Sequence, residues 1–191
     1  PNGNNSGSAY VVFGKSSNNS VELSTIEDGD GGGFVINGID GDASGASVSN
    51  AGDVNNDGFD DLIVGAYGAD PNGNNSGSSY VIYGTTSTSA IELSTIEDGD
   101  GGGFVINGVD VADYSGVSVS SAGDVNNDGF DDLIVGADYA DPNGTGSGSA
   151  YVVFGRPHLN GTGNSSANTI RGNSYANTLQ GRAGRDILIG N

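Results

Sequence analysis

The apolar residues of this chain fall in short clusters, not at helical spacing. Four clusters follow one another in mid-sequence: an alternating stretch at Ala46–Ala51, a continuous run closing Asp61–Ala66, YVIYG within Ser78–Gly84, and FVIN at Phe104–Asn107. Runs of this length, rich in Val, Ile, Tyr and Phe and bounded by Gly, Asn and Asp, predict strands separated by tight turns. Asn-Gly pairs at 37–38, 72–73, 107–108 and 143–144 favour such turns. The alternating stretch suits a strand with one exposed face, and the continuous run a strand covered on both. Helical character is confined to Val21–Glu27, where a short helix is expected.

The clusters recur. LSTIEDGDGGGFVING at Leu23–Gly38 returns unchanged at Leu93–Gly108, and AGDVNNDGFDDLIVGA at Ala51–Ala66 returns at Ala122–Ala137. GSAYVVFG at 7–14 becomes GSSYVIYG at 77–84 and GSAYVVFG again at 148–155, with one residue inserted near Tyr114. Four antiparallel strands per repeat of roughly 70 residues make a β-propeller blade. The expected fold is therefore all-β: antiparallel four-stranded blades over residues 1–155, an incomplete propeller of roughly two and a half repeats. The series starts inside one repeat and stops within another, as a fragment would, and open blade edges then predict self-association. Beyond a linker at 156–162 the period shortens to nine residues: GNSSANTIR, GNSYANTLQ and GRAGRDILI, with Ile170, Leu179 and Leu188 in the eighth place. That pattern predicts a short β-roll-like tail over 163–191.

Composition narrows the function. The chain has 36 Gly and no Cys, Met or Trp, which excludes disulfides, thiol chemistry and Cys-ligated zinc. Its formal charge is −19, and 23 of its 24 acidic residues lie in residues 1–155 beside Lys15 alone, while 156–191 hold four Arg and Asp186. No basic surface for nucleic acid follows from this, and no apolar run approaches the roughly 18 residues of a membrane span. Periodic aromatic clusters argue against acidic disorder. His158, the single imidazole, sits in the linker without a partner motif, and nucleophile elbow, P-loop and zinc-helix patterns are missing. The expectation is that this is not an enzyme. Asn-x-Ser/Thr sequons arise by chance in a chain this rich in Asn and Ser.

The acidic residues are patterned. Asp53, Asn55 and Asp57 occupy positions 1, 3 and 5 of a loop, Gly58 follows, the Phe59 carbonyl falls at position 7, and Asp61 at position 9 meets the next strand. Asp124, Asn126, Asp128, Gly129, Phe130 and Asp132 repeat the arrangement. Oxygen donors alternating along a sharp turn can converge on a hard cation. With no His or Cys among them, Ca²⁺ is favoured over zinc or copper, and over Mg²⁺ with its stricter octahedral demands. An EF-hand would need Glu at position 12, where Val64 and Val135 stand, and a following helix where a strand is expected. Asp28-Gly-Asp30 and Asp98-Gly-Asp100 read as solvated hairpin tips.

On AGDVNNDGFDDLIVGA, followed by G-S-S/A-Y-V-hydrophobic-aromatic-G, the first 155 residues resemble the FG-GAP repeats of integrin α-subunit propellers and their bacterial relatives. The resemblance implies a loop that joins adjacent strands of a blade and binds structural Ca²⁺. The implied ligands are Asp53, Asn55, Asp57, Phe59 through its carbonyl and Asp61, and equally Asp124, Asn126, Asp128, Phe130 and Asp132. The family's name-giving "FG" reads Ser44-Gly45 and Ser115-Gly116 here, and "GAP" reads Gly65-Ala66-Tyr67 and Gly136-Ala137-Asp138. The tail is similar to hemolysin-type RTX calcium repeats, in which consecutive turns supply Gly-x-Asp. Here only Asp186 keeps the acid, with Asn168 and Asn177 in the earlier turns. Together the resemblances imply an extracellular or cell-surface calcium-binding module with a protein or glycan ligand. The competing expectations are a non-catalytic accessory module of a secreted hydrolase and a purely structural spacer.

Overall fold

The computed structural model of the chain describes residues 3–29, 32–99 and 102–156, and four short strands beyond them. The first repeat contributes β1 (Ser8–Val12), α1 (Leu23–Glu27) and β2 (Gly33–Asn37). The second contributes β3 (Ser47–Gly52), β4 (Asp61–Ala66), β5 (Ser78–Ile82), β6 (Ile91–Glu92), α2 (Leu93–Glu97) and β7 (Gly103–Asn107). The third contributes β8 (Ser118–Gly123), β9 (Asp132–Ala137) and β10 (Ser149–Val153). In the second repeat β3-β4-β5-β7 form one antiparallel sheet, a complete blade whose strands lie within two residues of the expected clusters. The flanking repeats form three-stranded sheets, β1-β2-β6 and β10-β9-β8, and no sheet among the described residues closes into a barrel. The architecture is an all-β, incomplete, propeller-like array.

Stacking of the blades explains the continuous apolar run. Neighbouring residues of a strand point to opposite faces, and β4 lies between two blades. Ile63 packs with Ala51, Val54 and Val81 of its own repeat and Val119, Leu133 and Val135 of the third. Val64 and Ala66 face the other way, onto Phe34 and Ile36 of the first repeat and Tyr80 and Ile82 beside them. Leu93 and Ile96, one turn apart on α2, close this second cluster and are the buried residues of that helix. The alternating stretch becomes β3, whose first four residues alternate partly buried and exposed.

Helical character was expected at Val21–Glu27 alone, but the second copy of LSTIE also forms a helix, α2, because the same five residues pack on the matching strand of their own repeat. Two further features were not foreseen. Ile91–Glu92 form a two-residue strand that pairs in parallel with β2, Ile36 opposite Ile91 and Asn37 opposite Glu92, and Asn37 Nδ2 donates to Glu92 Oε1 at 2.8 Å. Two residues carry no periodicity to read. The inserted segment near Tyr114 has a packing role as well. Tyr114 bridges the ring of Tyr67 in the second repeat (centroids 6.1 Å apart) and that of Tyr139 in the third (5.4 Å).

Loops at this end of the array lace successive repeats together. The amides of Ala112, Tyr114 and Ser115 donate to the carbonyls of Asn74, Asn75 and Ser76 at 2.9, 3.1 and 3.1 Å. Gly41, Ala43 and Ser44 donate in the same way to Asn4, Asn5 and Ser6. The loops joining β3 to β4 and β8 to β9 consequently emerge at the opposite end. Beyond residue 156, β11 (Asn160–Thr162) pairs in parallel with β13 (Thr178–Gln180), and β12 (Thr169–Arg171) with β14 (Ile187–Ile189). Parallel pairing of alternate turns at a nine-residue spacing agrees with the expected roll, but its first strand, β11, falls within the stretch read as a linker at 156–162. His158, Asn168, Asn177 and Asp186 lie outside the described residues.

Candidate metal centre

Each candidate loop begins at a bulge. The ladder between β3 and β4 shifts register between Asn50 and Gly52, and that between β8 and β9 between Ser121 and Gly123. The extra residue turns the chain out of the sheet and aims Asp53 or Asp124 into the loop.

The loop then folds around its own side chains. Asp53 Oδ1 and Asn55 Oδ1 both accept from the Asp57 amide, at 3.0 and 2.8 Å, which brings these two oxygens together. Asp53 Oδ2 accepts from the Gly58 amide at 2.9 Å, and Asp57 Oδ1 from the Phe59 amide at 2.9 Å. Asn55 Nδ2 donates to Asp57 Oδ2 at 3.0 Å, closing the ring of contacts. Asn56 and Gly58 take left-handed backbone angles, φ +58° and +92°, which Asn and Gly tolerate best. The second loop repeats every one of these bonds among Asp124, Asn126, Asp128, Gly129 and Phe130, at 2.9 to 3.0 Å.

Asp61 and Asp132 are held by a different set of bonds. Each is the first residue of its strand and fully buried. Asp61 Oδ2 accepts from the Val54 amide at 2.9 Å and Oδ1 from the Gly84 amide at 2.7 Å. Asp132 accepts from Val125 and Gly155 in the same manner, both at 2.9 Å. The carboxylate thus ties the start of its loop to the end of the third strand of its blade. Burial pushes the Asp61 carboxyl up to about 6; the two amide bonds oppose the rise, and the charges of Asp57 and Asp53 add to it.

Asp53, Asn55 and Asp57, and equally Asp124, Asn126 and Asp128, are thus brought together. Asp61 and Asp132 accept from backbone amides, and the Asp53 and Asp57 charges act on Asp61. Phe59 and Phe130 follow the turn, Phe59 with its side chain 47% exposed. Among the described residues no group of three or more His, Cys, Asp or Glu side chains forms a ready-made cage. The donors are all oxygen, and the loop gathers two carboxylates and a carboxamide on one turn, which fits a hard divalent cation. Asp28 and Asp98 close the short helices instead, their amides donating to Ser24 and Ser94 carbonyls, while Asp30 and Asp100 lie outside the described residues.

Sequence reasoning missed the Gly84 and Gly155 amides as partners of the buried aspartates. The signal was present in the glycine that ends each GSxYVxxG phrase. A Cβ on Gly84 would overlap the Phe59 Cβ, so only glycine brings this amide to Asp61. Asp131 was missed too; its carboxylate accepts from the Asp53 amide of the preceding repeat.

This class of structure, stacked antiparallel blades with a duplicated Asp-rich loop, agrees with the comparisons with known families. The FG-GAP repeat matches residues 44–82 and 115–153, each match running from just before the first strand of a blade to its third. The RTX calcium-binding nonapeptide repeat (4 copies) matches residues 162–191. The chain carries two FG-GAP repeats followed by an RTX calcium-binding nonapeptide repeat region. No curated protein matches it.

Proposed function

We propose that this chain is a non-catalytic, extracellular calcium-binding module in which Ca²⁺ at the two Asp-rich loops holds the blades in shape for an adhesion or ligand-binding role. The observation that carries the reading is the duplicated ring of contacts around Asp53, Asn55 and Asp57 and around Asp124, Asn126 and Asp128. The presence of an RTX calcium-binding repeat region in the same chain supports the choice of ion. Asp53, Asn55, Asp57, the Phe59 carbonyl and Asp61 would hold one ion, and the equivalent five residues of the third repeat the other. The cation would supply positive charge that residues 1–155 lack, since Lys15 is their one basic residue. Clustered carboxylates repel one another without it, and binding energy then becomes folding energy. An affinity of roughly 10⁻⁴ to 10⁻³ M, as in other extracellular modules, would keep the loops filled outside a cell.

A circular-dichroism melt in millimolar CaCl₂ against excess EDTA, with MgCl₂ as control, tests the reading. A large rise in midpoint specific to Ca²⁺ is expected. An unchanged melt with the β signal intact in EDTA would reduce the loops to hydrogen-bonded turns. Adhesion is tested separately, by screening the calcium-loaded chain against immobilised glycans and matrix proteins.

A further inference from the structure

We infer that Asp131 is a positioning residue acting across the blade boundary: it fixes the loop of the preceding repeat, so that the two calcium loops fill as a coupled pair. The inference rests on the calcium reading above for its ligand, and on hydrogen bonds between repeats for its mechanism.

Asp53 opens the first loop, and both of its backbone polar groups are held by Asp131 of the second. The Asp53 amide donates to Asp131 Oδ2 at 2.9 Å, and the Asp131 amide donates back to the Asp53 carbonyl at 3.3 Å. One residue further on, the Val54 carbonyl accepts from the Arg156 amide at 2.9 Å, just past the third strand of the neighbouring blade. The first loop is therefore bounded on one side by its own Asp61 and on the other by the third repeat.

The same motif one repeat earlier does something else. Asp60 occupies the place of Asp131, yet it is exposed and meets Asn50 Nδ2 of its own repeat at 3.5 Å. The glycines before the loops differ likewise. Gly52 and Gly123 share a left-handed backbone, φ +72° and +67°, but a Cβ on Gly52 would overlap the Asp131 carboxylate, whereas one on Gly123 would have no neighbour within 4 Å.

Coupling follows from the shared residue. Asp131 lies between Phe130 and Asp132, both proposed to line the second ion. An ion that orders this stretch holds the Asp131 carboxylate where Asp53 needs it. Asp53 is then already fixed when its own ion arrives, so less ordering remains to be done. By linkage the effect is reciprocal: filling the first loop steadies Asp131 and favours the second.

The test is a calcium titration of the ¹⁵N-labelled full chain, reading the Gly58 and Gly129 amides so that each loop is followed apart from the tail. Asp131→Ala is compared with Asp60→Ala and wild type. In wild type both amides should shift over the same calcium range. Asp131→Ala should weaken the Gly58 response several-fold although the substitution lies in the other repeat, and Asp60→Ala should leave the Gly129 response in place. An Asp131→Ala effect confined to Gly129, or equal cross-effects from both variants, would overturn the coupling. If neither amide of wild type responds to calcium, the calcium reading fails by itself. Amide exchange of Gly58 and Phe59 in the metal-free chain then decides whether Asp131 positions the loop: faster exchange in Asp131→Ala sustains it, and unchanged exchange ends it.

Discussion

Ala51–Ala66 and Ala122–Ala137 are the same sixteen residues in two settings. Their loops agree bond for bond, with corresponding distances within 0.1 Å. Burial does not agree. Ile63 is fully buried against the third repeat, while Ile134, at the same place in an outer blade, is 37% exposed; Val54 is buried and Val125 is 56% exposed. The loop is written locally, by side chains that reach amides two to five residues away. The core is written by whichever blade stacks alongside.

That contrast can be broken experimentally. The largest effect is expected at the buried carboxylates. Asp61→Ala leaves the Val54 and Gly84 amides without acceptors and should cost about 3 kcal/mol, read by urea unfolding. Asp132→Ala should cost about as much, because its two bonds match those of Asp61 and likewise stay within one repeat; a loss below about 1 kcal/mol at either site would break that equivalence. The isoleucines should split instead. Ile63→Ala removes a side chain packed between its own repeat and the third and should cost about 3 kcal/mol, whereas Ile134→Ala should cost less than about 1 kcal/mol. Equal losses would mean that a further blade covers Ile134 in solution. A smaller difference is expected between Gly52→Ala and Gly123→Ala: both strain a left-handed backbone, but only the former also displaces Asp131, so its melting point should fall further.

The finest probe is pH, applied to the calcium-free chain. Asp61 is raised to about 6 mainly by burial, and so is Asp42, where burial comes first and the Glu97 charge second. Between the ordinary value of 3.8 and about 6 the folded chain holds protons that the unfolded chain has released. Its stability should therefore fall as pH rises through that window. Calcium at the loop favours the ionised Asp61 and should flatten the slope. A calcium-free stability that rises from pH 4 to 7 would contradict the assignment.

Much of this was legible in the sequence. The strands announced themselves because each is a short apolar cluster between turn residues, and β4 because its unbroken run requires two covered faces. The loop donors were legible since Asp53, Asn55 and Asp57 act through neighbours in the chain. What escaped reading depends on distance along the sequence. The partner of Asp61 at Gly84 is 23 residues away, and Asp131 reaches Asp53 over 78. Composition could not say that Asp131 crosses a blade boundary while Asp60, the same residue of the first copy, faces water. The β6 pairing was hidden for the opposite reason, being too short to carry a pattern.

That two-residue strand has a bearing on how an array of these repeats stays separate from its surroundings. GFVIN occurs twice, as β2 and as β7. At β2 the next repeat lays Ile91 and Glu92 along the outer edge, and the first four residues are buried. At β7, the end of its sheet, the same four are only partly buried. An uncovered edge of uncharged Phe, Val and Ile is a template on which a foreign extended chain can grow. The second repeat thus acts as a sheath for the first, and the order of repeats along the chain doubles there as a guard against misassembly.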